Sequence, residues 1–226
     1  MPQEIQPEQV VTTGPLNGDL LFRPVRGGNT YEETVERLLQ TIRLGLALPG
    51  VQFPPERELA TMLDVSRDTV RLAISSLVDA GYLVVKRGRY GGTFVAEILP
   101  EKPLRMGRDG ELTHHVDFTH DELEDVLILR EILECGAAHH AATRSLSSVD
   151  RENLWSVLKE TSEASPENYR MLDSRLHLLI AELTGSPSLL SQVATSRMRL
   201  NELLDGIPLL PPNISHSNEQ HETIVL

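Results

Sequence analysis

Glu56-Arg57-Glu58-Leu59-Ala60-Thr61-Met62-Leu63, then Asp64-Val65, then Ser66-Arg67-Asp68-Thr69-Val70-Arg71-Leu72-Ala73-Ile74, is the stretch that decides the fold. Glu56 opens a short helix, with Pro55 suited to its first turn, and Leu59, Ala60 and Leu63 form its inner face. Asp64-Val65 reads as a tight turn. Ser66 is a good N-cap for the next helix, because its hydroxyl can accept from a backbone N–H of the first turn. Val70, Ile74 and Leu77 then face inward at i, i+4 and i+7, and Gly81 ends the helix. Upstream, Val35, Leu38, Leu39, Ile42 and Leu46 form the apolar face of a helix that starts at Thr30 and ends at Leu48-Pro49-Gly50. Val51 to Pro55 is an extended link. Downstream, Tyr82 to Lys86 reads as a strand, Arg87-Gly88-Arg89-Tyr90-Gly91-Gly92 as a basic turn and Thr93-Phe94-Val95 as the returning strand.

Two short helices, a tight turn and a hairpin are the order of a winged helix-turn-helix. The second helix can enter a major groove, where base edges carry a readable donor and acceptor pattern. Its N-terminal face presents Arg67, Thr69 and Arg71. Arginine can clamp phosphate or pair with guanine, and the hydroxyls of Ser66 and Thr69 suit phosphate oxygens. Arg57 lies where the preceding helix crosses the backbone. The hairpin tip offers Lys86, Arg87 and Arg89 around glycines that let the main chain come close to phosphate or the minor groove. The alternative for any one of these arginines is a solvated surface residue.

These residues also resemble a family. Phe53-Pro54-Pro55-Glu56-Arg57-Glu58-Leu59-Ala60, Val65-Ser66-Arg67-Asp68-Thr69-Val70-Arg71, Leu77-Val78-Asp79-Ala80-Gly81-Tyr82 and Gly91-Gly92-Thr93-Phe94-Val95 are similar to the GntR family of bacterial regulators. The resemblance implies that Arg57, Ser66, Arg67, Thr69, Arg71, Arg87 and Gly88 touch double-stranded operator DNA. Asp68 departs from the family pattern, where a small polar residue is usual, and its carboxylate would repel phosphate.

Composition sets the class of the rest. The chain has 226 residues, enough for two modest domains, and only 4% aromatics, so its cores are built from Leu, Val, Ile and Ala, which suits packed helices. One cysteine, Cys135, excludes an internal disulfide and fits a reducing cytoplasm. No stretch approaches the roughly 20 apolar residues of a membrane span, and Met1-Pro2-Gln3-Glu4 lacks the start of a signal peptide. The net charge of −12 is uneven: 8 basic against 9 acidic side chains over 30–98, but 11 against 21 over 99–226. An acidic second domain is compatible with a DNA-reading head, because phosphate contacts depend on local Arg and Lys.

The expected organisation is a flexible arm over 1–29, the winged helix-turn-helix over 30–98, a linker over 99–120 and an all-helical domain over 121–226. The expected fold class is therefore mainly α. In the second domain a first helix, about 121–145, buries Leu123, Val126, Leu127, Leu133 and Ala137, and further helices cover roughly 148–163, 167–184 and 187–205. Pro208, Pro211 and Pro212 break the chain before a last helix starting near Asn213–Ser217. That helix still runs at Leu226 without a cap, which suggests a domain lacking its final helix.

This half resembles the ligand-binding FCD domain of the FadR subfamily. The resemblance rests on Asp125 to Glu134 with Ala137-Ala138, Leu172-Asp173-Ser174-Arg175-Leu176-His177 with Thr184-Gly185-Ser186-Pro187, and Asn218 to Ile224. Independently, Asp173 and His177 are four apart and project from one helical face, and carboxylate with imidazole suits Zn²⁺, Ni²⁺ or Mn²⁺. His221 could add a third ligand from another helix. The resemblance implies one Asp and three His, of which Asp173, His177 and His221 match the first three. It also implies that Arg130 could pair with an effector carboxylate on the metal. The alternatives are a surface or capping role for the Asp/His pair and an intrahelical ion pair of Arg130 with Glu134. His139-His140 and His114-His115 read as structural or solvated.

The function expected is a cytoplasmic homodimeric regulator, a repressor, that reads a pseudo-palindrome and responds to a small organic acid. The rivals are a metal-free regulator sensing an acyl ligand, a metal-dependent hydrolase and an unresponsive, incomplete sensor. No HExxH, GxSxG or Walker-type loop accompanies the cluster.

Overall fold

The computed structural model describes residues 30–89, 91–100, 105–106, 112–113, 119–204 and 209–226. The expected arm over 1–29, most of the expected linker, His114-His115 and Pro208 lie outside the described residues.

The N-terminal half holds α1 (Thr30–Arg43), α2 (Glu56–Leu63), α3 (Arg67–Asp79), β1 (Leu83–Lys86) and β2 (Gly92–Val95). The strands pair antiparallel, Leu83 with Val95 and Lys86 with Gly92. Ser66 caps α3 as its sequence requires, its Oγ accepting from the Thr69 N–H at 3.0 Å. The turn before it is closed by Asp64 at φ 55°, a left-handed position that Asp tolerates because its short side chain bonds locally. Val35, Leu38, Ile42, Leu59, Leu63, Val70, Ile74, Leu77, Leu83 and Val95 form one core.

The extended link adds more than its sequence suggests. Phe53 N–H donates to Thr93 O and Val95 N–H donates to Val51 O, so residues 51–53 line β2 as a third, irregular strand. Gln52 forms an isolated bridge with Phe94. This anchors the wing to the segment that precedes α2.

The C-terminal half is helical: α4 (His120–Ala142), α5 (Ser148–Ser162), α6 (Pro166–Leu183), α7 (Pro187–Leu204) and α8 (Pro211–Val225). Two-residue strands β3 (Arg105–Met106) and β4 (Leu112–Thr113) pair between the halves, inside the expected linker. Thr119 and Ser147 start α4 and α5 with reciprocal capping boxes to Glu122 and Asp150. Two expectations are corrected here. Pro211 and Pro212 do not break the chain before α8; they form its first turn, where a missing N–H costs nothing. Leu127 is not a core residue but 42% exposed. It lies one residue past buried Val126, and the adjacent position on a helix is turned about 100° away.

The most consequential correction concerns α1. It stops at Arg43, five residues before the expected end, and Gly45 turns the chain at φ 69°. The segment that follows belongs to both halves. Leu44 and Leu46 are buried with Leu176, Leu179, Leu190 and Val193 of the helical domain, while Ile42 and Ala47 stay in the N-terminal core. A Cβ placed on Gly45 would lie 2.9 Å from the Met171 carbonyl oxygen. Backbone hydrogen bonds from Leu46 and Ala47 to Thr41 O fix the turn.

Gly45→Ala is expected to lower stability by about 1–3 kcal/mol, through left-handed strain and the contact with the Met171 carbonyl. Urea unfolding followed by circular dichroism checks this, and a neutral result would mean that the turn does not need its glycine.

Candidate functional site

The helical domain encloses a polar cluster built on one buried cation. Arg197 of α7 has a side chain only 1% exposed. It lies 2.5 Å through Nε from Glu134 Oε1 on α4 and 2.6 Å through Nη1 from Asp173 Oδ2 on α6. Arg130, one turn before Glu134, donates from Nε to Glu134 Oε2 at 3.0 Å. The two carboxylates are thus met by the buried guanidinium of Arg197 and, at the edge of the cluster, by the partly exposed Arg130.

The two histidines complete it. His177 lies one turn beyond Asp173 on α6, and its Nδ1 is 3.1 Å from Glu134 Oε2. A carboxylate at that distance requires the Nδ1–H tautomer, which leaves the Nε2 lone pair facing into the cluster. His221 comes from α8 and is buried. Its Nε2 lies 3.2 Å from Asp173 Oδ1 and 3.3 Å from His177 Nε2. Tyr169 O–H donates to Asn218 Oδ1 at 2.9 Å, which ties α8 to α6 and so holds His221 in place.

The electrostatics follow from this geometry. Burial alone would raise the Glu134 carboxyl, but Arg197, the His177 hydrogen bond and Arg130 outweigh it and bring it down to about 2. Asp173 is likewise held well below the ordinary carboxylate range: Arg197, with His221 and His177, overcomes its desolvation. Burial, then Arg197, pushes His177 down despite Glu134 and Asp173, so its imidazole is neutral at pH 7. Neutral imidazole and ionised carboxylate are the forms that bind metal.

Asp173, His177 and His221 each offer one ligand atom, all within 4.8 Å of one another. Two ligand atoms on a tetrahedral ion at about 2.05 Å are separated by about 3.3 Å. The contacts at 3.2 and 3.3 Å match that edge; His177 Nε2 to Asp173 Oδ1, at 3.9 Å, is wider. The hydrogen bond from His177 Nδ1 to a carboxylate is the arrangement that orients metal-bound imidazoles. The donor set therefore fits a divalent ion, with Arg197 engaging the far oxygen of Asp173 and leaving Oδ1 to the ion.

The structure brings the sequence-derived trio together and adds two residues that sequence reasoning did not place there. Arg197 lies in Ser196-Arg197-Met198-Arg199, a stretch that reads as ordinary helix surface. Glu134 is legible only as a helical neighbour of Arg130, and that ion pair is present. A carboxylate on the same helical face as an invading arginine carries no local signal.

In the N-terminal half, Arg57, Ser66, Arg67 and Arg71 are exposed, and so are Lys86, Arg87, Gly88 and Arg89 at the wing. Thr69 is half-buried, its Oγ1 2.8 Å from Ser66 Oγ. Lys86 Nζ sits 4.5 Å over the Phe94 ring. Arg71 is not free: it donates to Glu56 Oε2 at 3.0 Å and to Asp68 Oδ1 at 3.1 Å. Arg67 approaches the same Glu56 oxygen at 4.0 Å. Asp68 thus lies against Arg71 at the front of α3.

Arg197→Ala would strand Glu134 and Asp173 as buried charges. It is expected to cost about 3–5 kcal/mol in urea unfolding with a chelator present, against less than about 1 kcal/mol for Arg199→Ala, whose partner Asp125 is mostly exposed. Equal effects of the two would show that the cluster does not hold the bundle together.

The chain matches the gntR family of bacterial regulatory proteins over residues 30–95 and the FCD domain over residues 125–226. It is 31% identical over 190 residues to an Escherichia coli (strain K12) protein whose name is that of an L-lactate dehydrogenase operon regulatory protein, covering 78% of this chain and 68% of that one. It is 32% identical over 182 residues to a protein of Mycobacterium gastri named as the HTH-type transcriptional regulator RmpR, covering 80% of this chain and 63% of that one. Among solved structures it is similar to a GntR protein of Streptococcus agalactiae, with 26% identity, a TM-score of 0.41, and 86% and 87% of the two chains covered. The chain spans about two thirds of the length of these curated relatives. A helix-turn-helix with a paired wing, followed by a helical domain holding Asp173, His177 and His221, is thus a member of the GntR family of bacterial transcriptional regulators with an FCD domain.

Proposed function

We propose that the chain is a cytoplasmic, homodimeric repressor that reads two DNA half-sites with α3 and is released by a small carboxylate held in the helical domain. The observation that carries the DNA reading is the capped N-terminus of α3. It is exposed, it presents Arg67, Thr69 and Arg71, and the basic wing tip with Arg87, Gly88 and Arg89 is exposed as well. Arg57 and Ser66 join them in contacts to the backbone. Among the described residues no helix is long and apolar enough to cross a membrane.

In the helical domain Asp173, His177 and His221 would hold Zn²⁺, Ni²⁺ or Mn²⁺. The ion would supply a positive centre for the carboxylate of the effector. Arg130, whose side chain is 36% exposed, keeps Glu134 in place and offers the effector a second cationic partner. Glu134 orients His177 and keeps its proton on Nδ1. Ligand alters DNA affinity only by binding one arrangement of the heads better than the other, a coupling of about 1–3 kcal/mol. A metal-free regulator is the second reading, favoured by one observation: Arg197 already gives Asp173 and Glu134 a cationic partner.

Two measurements test this. Binding to random-sequence double-stranded DNA should weaken as salt rises, and Arg67→Ala with Arg71→Ala should flatten the log–log salt slope by between about one and two per protomer, because Arg71 leaves Glu56 and Asp68 to take up cations. An unchanged slope would sink the docking. Metal analysis of purified protein should find one divalent ion per chain, absent in His177→Ala. No metal in either protein would leave the metal-free reading.

A further inference from the structure

Helix α4 is apolar on two opposite sides. One side, with Val126, Ala137 and Ala141, is buried, and Leu133 packs against the helical core. The other carries Ile128 and Ile132, 52% and 65% exposed, with Cys135 exposed beside them. A Cβ added to Gly136 on that side would meet nothing within 4 Å. Large apolar side chains left exposed on a helix whose opposite side is already buried mark a surface that another partner covers.

The outer side has an order of its own. At 3.6 residues per turn, Asp125, Ile128, Ile132, Gly136 and His139 fall in a strip about 80° wide. They are spaced symmetrically about Ile132. Ile128 and Gly136 lie four residues to either side of it, and Asp125 and His139 seven. Reversed end to end, the strip is its own complement: a large residue answers a missing side chain, and a carboxylate answers an imidazole.

We infer that this strip is the surface on which a second copy of the chain docks, with the two α4 helices antiparallel and the two-fold axis passing Ile132. The inference rests on the homodimer proposed above and gives it a specific face. Ile132 packs on the partner's Ile132. Ile128 fills the space over the partner's Gly136, so the backbones approach closely on both sides of the axis. Asp125, whose side chain is 70% exposed with one oxygen 3.7 Å from Arg199, accepts from an imidazole N–H of the partner's His139. The charge match and the equal spacing favour a copy of this chain over an unrelated partner, which would place no such symmetry on the strip. A two-fold axis between the helical domains also suits two heads reading a pseudo-palindrome.

The test uses the full chain. Sedimentation equilibrium at micromolar concentration should show a dimer, and Ile132→Arg should raise its dissociation constant by about 100-fold or more while helicity is retained. In a Cys135→Ser background, Ile132→Cys should form an interchain disulfide under mild oxidation, and Val149→Cys on exposed α5 should not. A dimer that survives Ile132→Arg and gives no crosslink at position 132 overturns this face and leaves the dimer itself standing. A wild-type chain that is monomeric overturns the face and the dimer together. The salt slope on random DNA reports separately on DNA binding in either case.

Discussion

Arg197 is the interaction on which the helical domain depends. A guanidinium shut away from water must be met by negative charge, and it draws Glu134 from α4 and Asp173 from α6 to within 2.6 Å. Those two carboxylates then organise everything polar around them. Glu134 fixes the ring of His177 and the side chain of Arg130, and Asp173 receives His221 from α8. Four helices are registered by one cation. The same network sets the charge of its donors: Asp173 stays ionised beside the guanidinium, and burial with Arg197 keeps the His177 imidazole neutral.

The cluster does not sit apart from the N-terminal half. Met171, whose carbonyl faces Gly45, is two residues before Asp173 on α6. Arg175, which also flanks Gly45, lies between Asp173 and His177 and is fixed by Glu160 of α5 at 2.7 Å. One side of α6 therefore carries the charged cluster and another bears on the turn after α1, which leads directly into the helix-turn-helix. Leu44 and Leu46 anchor that turn in the second core. A shift of α6 along its axis would be felt by the head through packed atoms rather than through a linker.

Much of this was legible in the sequence, and the reasons are local. Ser66 capping α3, the inward spacing of Val70, Ile74 and Leu77, and the i, i+4 pair Asp173 and His177 are short-range facts that geometry enforces. His221 could be offered only as a third ligand from another helix, matched by the family resemblance, and it is the placement of α8 that sets its Nε2 3.3 Å from His177 Nε2. What stayed hidden depends on tertiary partners. Leu46 continues the helical period of α1, yet the chain leaves the helix at Arg43 because its leucines are wanted by a different core. Pro211 and Pro212 look like breakers, but the same ring that ends a helix is harmless in its first turn. Arg197 has the sequence surroundings of a surface residue, and only the packing of α4, α6 and α7 makes it central.

The pairing of Arg71 with Glu56 and Asp68 has a consequence for how ions take part in the proposed DNA binding. A free arginine that meets phosphate releases cations from the DNA and gives up nothing of its own. Arg71 arrives already neutralised, so moving it to phosphate leaves Glu56 and Asp68 exposed and ready to take up cations from solution. Part of the release is returned as uptake. The front of α3 is thus an exchanger of counterions more than a bare positive surface. It holds its charge in reserve until a phosphate or a guanine edge competes successfully with two carboxylates, which disfavours loose encounters with DNA of the wrong shape.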